Sequence, residues 1–277
     1  MIVDGRTLAK EILARAKTRA QKLVRPPLVV ALTASDTPAT RSYLAIKTKK
    51  AEEAGCIFET RALGAKFVDA DAVIIQLPVP IGLNQKEVCD SIPVSKDADV
   101  LSSAARTQFE MMDLRNPSLA LLPPVVDAVR EIFLQNNVDA KGKKAVVIGD
   151  GWLVGNPCAK WLAQQGAEVE VITLKSGDLR NCATPGVAQL RNADIIISGA
   201  GSPHLIKPEM LKKDVVLIDA GTSESGGTIA GDADPACADK CSIFTPVPGG
   251  VGPISVASLF ENVVTLAEQK NSSIISS

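Results

Sequence analysis

The chain predicts a two-domain α/β protein built on parallel sheets. Three observations carry this expectation. Short apolar, β-branched runs alternate with stretches whose apolar residues recur three and four apart, the pattern of strands sandwiched by helices. A glycine loop follows one such strand and opens a helix, the outline of a Rossmann-like nucleotide-binding arrangement. The length of 277 residues suffices for two ordinary domains.

The elements follow in order. Leu8 to Leu23 reads as a helix with a dense Lys/Arg outer face, Leu28 to Leu32 as a buried strand, and Ser42 to Ala54 as a helix stopped by Gly55. Ile57 to Leu63 and Ala72 to Leu77 read as further strands, separated only by Gly64 to Asp71. A parallel crossover normally takes about a dozen residues or more. Eight extended residues reach about 26 to 29 Å, enough to run back across a sheet but not to build a helix of several turns. The crossover is therefore expected to be bare or a single turn. In the second half, strands are expected at Lys144 to Ile148, Glu168 to Thr173, Ala193 to Ser198 and Val215 to Asp219, with a helix at Pro157 to Gln165. Thr245 to Pro253 holds three glycines and three prolines in nine residues, which predicts neither helix nor central strand. Val256 to Gln269 reads as a long helix and Asn271 to Ser277 as a frayed tail.

Composition narrows the function classes. Hydrophobic residues make up 46% of the chain and charged ones 22%, with 30 basic against 31 acidic side chains. That balance predicts no nucleic-acid or membrane partner. The absence of a long apolar run or a leader-like N-terminus predicts a cytoplasmic protein. The six cysteines form no C-x-x-C pair, so no metal is expected and the thiols read as small buried side chains. His204 is the single histidine and falls in a turn, Gly201-Ser202-Pro203-His204. Acid–base chemistry must then run on Lys, Asp, Glu, Tyr or Cys.

Several segments carry chemistry. Gly149-Asp150-Gly151-Trp152-Leu153-Val154-Gly155 follows a strand and opens a helix, the context of a phosphate-cradling loop, although alone it reads equally as a tight turn. At the next strand end, Lys175 and Ser176 are suited to hold a phosphate, whereas Asp150 repels one. Tyr43 and Lys47 share one helix face, a ring to stack on a planar ligand and an ammonium to act as acid or charge stabiliser; without support they read as part of a basic amphipathic helix. Gln76 lies next to Pro78 and Pro80 at a strand's C-terminal end, where open α/β sheets bind ligands. The carboxylates of Lys96-Asp97-Ala98-Asp99 suit an aminopyrimidine-like donor edge, or a solvated turn. Thr245 to Pro253 reads as a rigid rim over a ligand, or as a turn before a helix.

Taken together, Val3-Asp4-Gly5, Asp36 to Thr40 leading into Tyr43 and Lys47, Gln76-Leu77-Pro78-Val79-Pro80, Lys96 to Asp99, Gly149 to Pro157, Ala193 to Ile196, Ile218 to Gly221, Thr245 to Pro253 and Glu261-Asn262 span nearly the whole chain. In these motifs it resembles the bifunctional methylenetetrahydrofolate dehydrogenase/methenyltetrahydrofolate cyclohydrolase family. The resemblance implies oxidation of methylenetetrahydrofolate with a nicotinamide dinucleotide, then hydrolysis to formyltetrahydrofolate. It implies that Lys47 is central to hydrolysis with Gln76 bonded to it, that Tyr43 stacks on the folate and that Asp99 holds the pterin. Substrate contacts are implied for Leu77, Pro78, Pro248, Gly249, Gly250, Gly252 and Pro253, and cofactor contacts for Gly149, Asp150, Gly151, Val154, Gly155, Lys175, Ser176, Ala200, Gly201, Gly221 and Thr222. It further implies a folate domain at 1–120 completed by 252–277, a Rossmann-like NAD(P) domain at 121–251, and a homodimer.

The departures bear on function. A helix usual in the family between the second and third strands is missing, Val100 stands where glycine is usual, and Leu122-Pro123-Pro124-Val125 replaces a Thr-Pro-x-Gly segment. Asp150-Gly151 and Thr173-Leu174 replace two phosphate-contacting pairs of NADP users, so NADP is the family default and NAD the alternative. Two other readings remain: a divergent folate-binding homologue with weakened or lost dehydrogenase activity, and a Rossmann-linked dehydrogenase of the shikimate or amino-acid type.

Overall fold

The structure, a computed structural model, describes residues 1–34, 36–112, 121–173, 185–225 and 228–275. In chain order these form α1 (Gly5–Ala20), β1 (Leu28–Thr33), α2 (Pro38–Glu53), β2 (Ile57–Ala62), β3 (Ala72–Ile75), α3 (Gln85–Asp90), α4 (Ser103–Glu110), α5 (Pro124–Gln135), β4 (Lys144–Ile148), α6 (Gly155–Gln164), β5 (Glu168–Ile172), α7 (Pro185–Asn192), β6 (Ile195–Ser198), β7 (Val215–Asp219), β8 (Ser223–Ser225), β9 (Thr228–Ala230), β10 (Cys241–Phe244) and α8 (Val251–Ile275). No described helix is long and apolar enough to cross a membrane.

The chain divides into two compact units. One, here the amino-terminal unit, is Ala9–Pro124 with Val256–Ser277; the other, the central unit, is Met1–Leu8 with Val125–Ser255. The first eight residues thus group with the central unit, whereas the sequence placed them in the other. Backbone pairing explains it: Ile2 bridges Phe244 in parallel, and Val3 N donates to Phe244 O at 2.9 Å.

In the amino-terminal unit the sheet is parallel in the order β2-β1-β3. The chain passes from β2 across β1 to β3 without a helix, as the residue count required. Leu63, Ala65 and Phe67 of this crossover pack on Val30, Leu32, Val73 and Ile75 of the sheet face. Burial of that kind is worth roughly 25 cal/mol per Å² of apolar surface. Polar ties hold the crossover down. Lys96 Nζ donates to Phe67 O at 3.0 Å and Val68 O at 2.8 Å and lies 5.9 Å from the Phe67 ring centre, while Arg61 donates to Lys66 O and pairs with Asp69. At its end, buried Asp71 accepts from both terminal nitrogens of Arg25, from Lys270 Nζ and from Leu28 N.

The central unit has a five-stranded parallel sheet in the order β10-β7-β6-β4-β5, plus the antiparallel β8-β9 pair. Its core includes Val146, Ile148, Leu190, Ile196 and Leu217. Strand order reverses between β4 and β6: β5 lies on one side of β4, and β6, β7 and β10 on the other. Such a switch point opens a crevice at the strands' C-terminal ends.

Several expectations shift. Val251, Gly252 and Pro253 form the first turn of α8 rather than an irregular segment. A first helical turn leaves its amides without intrahelical partners, so Pro253 costs no hydrogen bond there. Residues 271–275 continue the helix that was expected to fray, with Lys270 fixed on Asp71. Helix α2 starts at Pro38, not Ser42, because Thr37 caps it by accepting from Thr40 N at 3.1 Å. Gly55, at φ +76°, follows its C-terminal end as expected.

Candidate functional site

In the amino-terminal unit, α2 carries Tyr43 and Lys47 one turn apart. Tyr43 is 55% exposed, so its ring presents a free apolar face. Lys47 is partly buried, and its Nζ donates to Gln76 Oε1 at 3.1 Å. Gln76 Nε2 in turn donates to Leu77 O at 3.0 Å. The two bonds fix which end of the amide faces the ammonium. Gln76 stands directly after β3, followed by the cis Leu77-Pro78 bond.

The 97–102 turn completes this set. Both carboxylates of the tetrapeptide were candidates for a ligand's donor edge, but the structure commits Asp97 to the backbone. Buried Asp97 accepts from Leu101 N at 3.2 Å and Ser102 N at 2.7 Å, and Ser102 then caps α4. Asp99 remains as the ligand-facing candidate. Burial pushes its carboxyl up to about 6; the Lys47 ammonium opposes the rise and the Asp97 charge adds to it. Asn262 on α8 donates to Ala98 O and Leu122 O, both at 2.9 Å, clamping the turn from the other side. Its role was not legible in the sequence, where only the Glu261-Asn262 motif stood out. Val100 adopts φ +55° while only 1% exposed, a left-handed backbone on a β-branched residue.

In the central unit, the Gly149–Gly155 loop leaves β4 at the switch point. A side chain at Gly155 would meet Gly149 O at 1.9 Å, and one at Gly149, itself at φ +92°, would meet Gly199 O at 2.9 Å. Helix α6 starts after Val154 with no side-chain cap and no acidic residue in its first turn. Asn156 N donates to Gly151 O at 3.1 Å and Pro157 carries no N–H, which leaves the Gly155 amide of the first turn to meet an anion, and the close backbone approach suits a phosphate group. Asp150 is exposed in this loop, with Gly151 beside it facing open space. Lys175 and Ser176 lie outside the described residues.

Across the switch point, Ala200 and Gly201 follow β6, and Gly221 and Thr222 follow β7. Gly221 is buried and Thr222 exposed. Asp219, at the end of β7, is 1% exposed, and burial pushes its carboxyl up to about 7 against hydrogen bonds from Ala233 and Gly221 amides. Thr245 Oγ1 accepts from Asp219 N at 2.6 Å, which ties the Thr245–Pro253 segment to β7. Gly249 and Gly250 approach α1 so closely that a side chain at Gly5 would meet Gly250 O at 1.9 Å. Asp4 caps α1 by accepting from Arg6 N and Thr7 N, so Val3-Asp4-Gly5 is a helix start shaped for this approach. Pro248, Gly249, Gly250, Gly252 and Pro253 thus belong to the central unit, whereas Tyr43, Lys47, Gln76, Leu77, Pro78 and Asp99 gather in the amino-terminal one.

Cys56, Cys89, Cys158, Cys237 and Cys241 are free and buried, with Cys56 and Cys158 pushed up to about 12 by desolvation; Cys182 lies outside the described residues. His204 holds φ +53°, the turn role expected of it.

Residues 123–271 match the sequence profile described as tetrahydrofolate dehydrogenase/cyclohydrolase, NAD(P)-binding domain. Bifunctional protein FolD of Thermotoga maritima is 30% identical over 98% of this chain and 99% of its own, and the Lacticaseibacillus paracasei protein of that name is 34% identical over 97% and 98%. Among solved structures, the bifunctional FolD enzyme of Campylobacter jejuni superposes with a TM-score of 0.87 at 30% identity, covering 98% of this chain and 99% of its own. The Trypanosoma brucei FolD, described as complexed with NADP cofactor and inhibitor, gives 0.85 at 26% identity over 98% of each chain.

Proposed function

Because the chain belongs to the tetrahydrofolate dehydrogenase/cyclohydrolase family, it oxidises methylenetetrahydrofolate to methenyltetrahydrofolate with a nicotinamide dinucleotide and hydrolyses the product to formyltetrahydrofolate, and we propose that its amino-terminal unit holds the folate and its central unit the dinucleotide. The observation that carries the residue assignment is the Lys47–Gln76 bond, 3.1 Å long, beside the raised carboxyl of Asp99.

In this reading Tyr43 stacks on the folate's aromatic portion, and Asp99, ionised above about 6, accepts from the pterin's donor edge. Lys47 is the acid–base group of hydrolysis: Gln76 keeps its ammonium aimed at the reacting carbon and supplies an acceptor that never competes for the proton. Leu77 and Pro78 wall the site next to Gln76, and Pro248, Gly249, Gly250, Gly252 and Pro253 supply further substrate contacts. The bound nicotinamide supplies the acceptor for the hydride. Gly149, Gly151, Val154 and Gly155 hold the pyrophosphate at the start of α6, with Asp150, Lys175, Ser176, Ala200, Gly201, Gly221 and Thr222 along the rest of the dinucleotide.

NADP is the cofactor this reading adopts, as the family default. The exposed Asp150 carboxylate favours NAD as a second reading, since an anion beside the ribose disfavours a 2′-phosphate. A cytoplasmic homodimer completes the proposal, checked by sedimentation of the purified chain. The deciding experiment is spectrophotometric: methenyl formation from methylenetetrahydrofolate with NADP and NAD supplied separately, followed by decay of the methenyl absorbance. Turnover with either nucleotide is expected. No turnover with both, alongside tight folate binding, would leave only a folate-binding homologue.

A further inference from the structure

Two carboxylates lie side by side in the interior of the central unit. Asp232 is fully buried and accepts three hydrogen bonds: from Ser198 Oγ at 2.7 Å and Ala200 N at 2.8 Å on Oδ2, and from Ser202 N at 2.7 Å on Oδ1. Asp219 accepts from Gly221 N at 3.0 Å on Oδ1 and from Ala233 N at 2.8 Å on Oδ2. The packing leaves no slack. A side chain at Gly221 would meet Asp232 Cγ at 2.1 Å, and one at Gly231 would meet Asp219 Oδ2 at 2.2 Å.

A buried carboxylate persists only where fixed dipoles replace its water. Here those dipoles come from the loop after β6. Ala200 N and Ser202 N converge on one carboxylate, with Gly201 between them at φ +63°. Alternating amides that converge on one point form a concavity of the kind that binds phosphates. The protein fills this concavity with its own anion. At the other side of the switch point, the first turn of α6 has no side-chain cap and, with Asn156 N on Gly151 O and Pro157 lacking an N–H, offers the Gly155 amide. The two loops bordering the crevice therefore differ in kind: one is open to an anion, the other is already neutralised from behind.

We propose that Asp232 is a positioning residue for the dinucleotide: by occupying the anion nest after β6 it fixes the Gly199–Ser202 loop as a rigid wall for a part of the cofactor away from its pyrophosphate and leaves the pyrophosphate to the β4 loop. This rests on the dinucleotide reading of the central unit given above. Asp232 touches neither cofactor nor substrate; it acts through the backbone of Ala200 and Ser202.

The test uses the full chain, with Asp232→Asn and Ser198→Ala. Asparagine keeps one acceptor oxygen but turns an amino group against a loop N–H, so one bond is lost and a donor faces a donor. NADP and NAD are titrated against the fluorescence of Trp152, in the glycine loop, and steady-state kinetics are run beside them. Asp232→Asn is expected to raise Kd and KM for the dinucleotide about tenfold or more, with kcat changed less than about threefold. Ser198→Ala leaves both loop bonds intact and is expected to raise Kd about threefold. A Kd within twofold of wild type in Asp232→Asn, or a kcat that falls as far as KM rises, overturns the proposal. Should Asp232→Asn not fold, Ser198→Ala decides alone, and an unchanged Kd there overturns it equally. A wild-type chain that binds neither nucleotide sinks the dinucleotide reading itself, an outcome separate from these.

Discussion

Replacing Val100 tests the backbone around Asp99 directly. Val100 holds φ +55° and is 1% exposed, so its side chain is packed while its main chain is strained. Two substitutions separate those effects. Val100→Ala and Val100→Gly both remove the two γ-methyls, at about 0.8 kcal/mol each plus a cavity term. They differ by one Cβ. In ordinary backbone a glycine is about 0.5–1 kcal/mol less stable than alanine, because it loses more freedom on folding. In the left-handed region a Cβ costs roughly 1–2 kcal/mol. The balance puts Val100→Gly above Val100→Ala by about 0.5–1 kcal/mol, the reverse of the usual order. Urea unfolding followed by far-ultraviolet circular dichroism, with equal m-values in the two variants, measures the difference. An alanine variant more stable than the glycine one would refute the strained backbone and the reasoning built on it.

Three further predictions follow from the site. Lys47→Met is expected to lower the hydrolytic rate by roughly 10²–10⁴, read as persistence of the methenyl absorbance; undiminished hydrolysis removes Lys47 from the mechanism. Because the Asp99 carboxyl is raised to about 6, KM for methylenetetrahydrofolate should rise as pH falls through 6, and Asp99→Asn should abolish that dependence while weakening binding at every pH; a wild-type KM that is flat between pH 5 and 8 would contradict the pterin contact. Asp219 titrates in the folded chain at about 7, above the ordinary carboxylate value of about 3.9. The folded state therefore keeps a proton that the unfolded chain has lost. Stability contributed below about pH 4 is lost as pH climbs to about 7, and Asp219→Asn should flatten this decline in urea midpoints taken at pH 5 and 8. An unchanged slope would place the titration elsewhere.

How far the sequence could be read depended on the range of the interaction. Strands β1, β3, β4, β6 and β7 were legible because burial on both faces writes itself as continuous apolar runs, and the bare crossover because chain length alone forbids a helix. Tyr43, Lys47 and Gln76 were legible as side chains of suitable chemistry, and their meeting at β3 needed only a helix face and a strand end. What stayed hidden was long-range pairing. Asn262 reaches Ala98 across 164 positions, and Asp232 reaches Ser198 across 34. No local pattern marks either residue as a partner of anything. Asp97 was misread for a related reason: two aspartates in one tetrapeptide look equivalent until the backbone shows which of them points at Leu101 and Ser102. The amino end of α5, inside Leu122-Pro123-Pro124-Val125, stood out only as a departure from a Thr-Pro-x-Gly segment, yet a proline at a helix's first position is well tolerated.

Lys96 grips Phe67 O and Val68 O of the crossover between β2 and β3, and it belongs to the same short segment as Asp97 and Asp99. A shortened connection and the turn that presents Asp99 are thus held by one ammonium. Any insertion that rebuilt a helix there would have to lift Phe67 off Val73 and Ile75 and strip Lys96 of both carbonyls before the new helix contributed a single contact. The short crossover and Lys96 therefore act as one unit, and a chain with a helix at this connection is expected to lack the Lys96 bonds to both carbonyls.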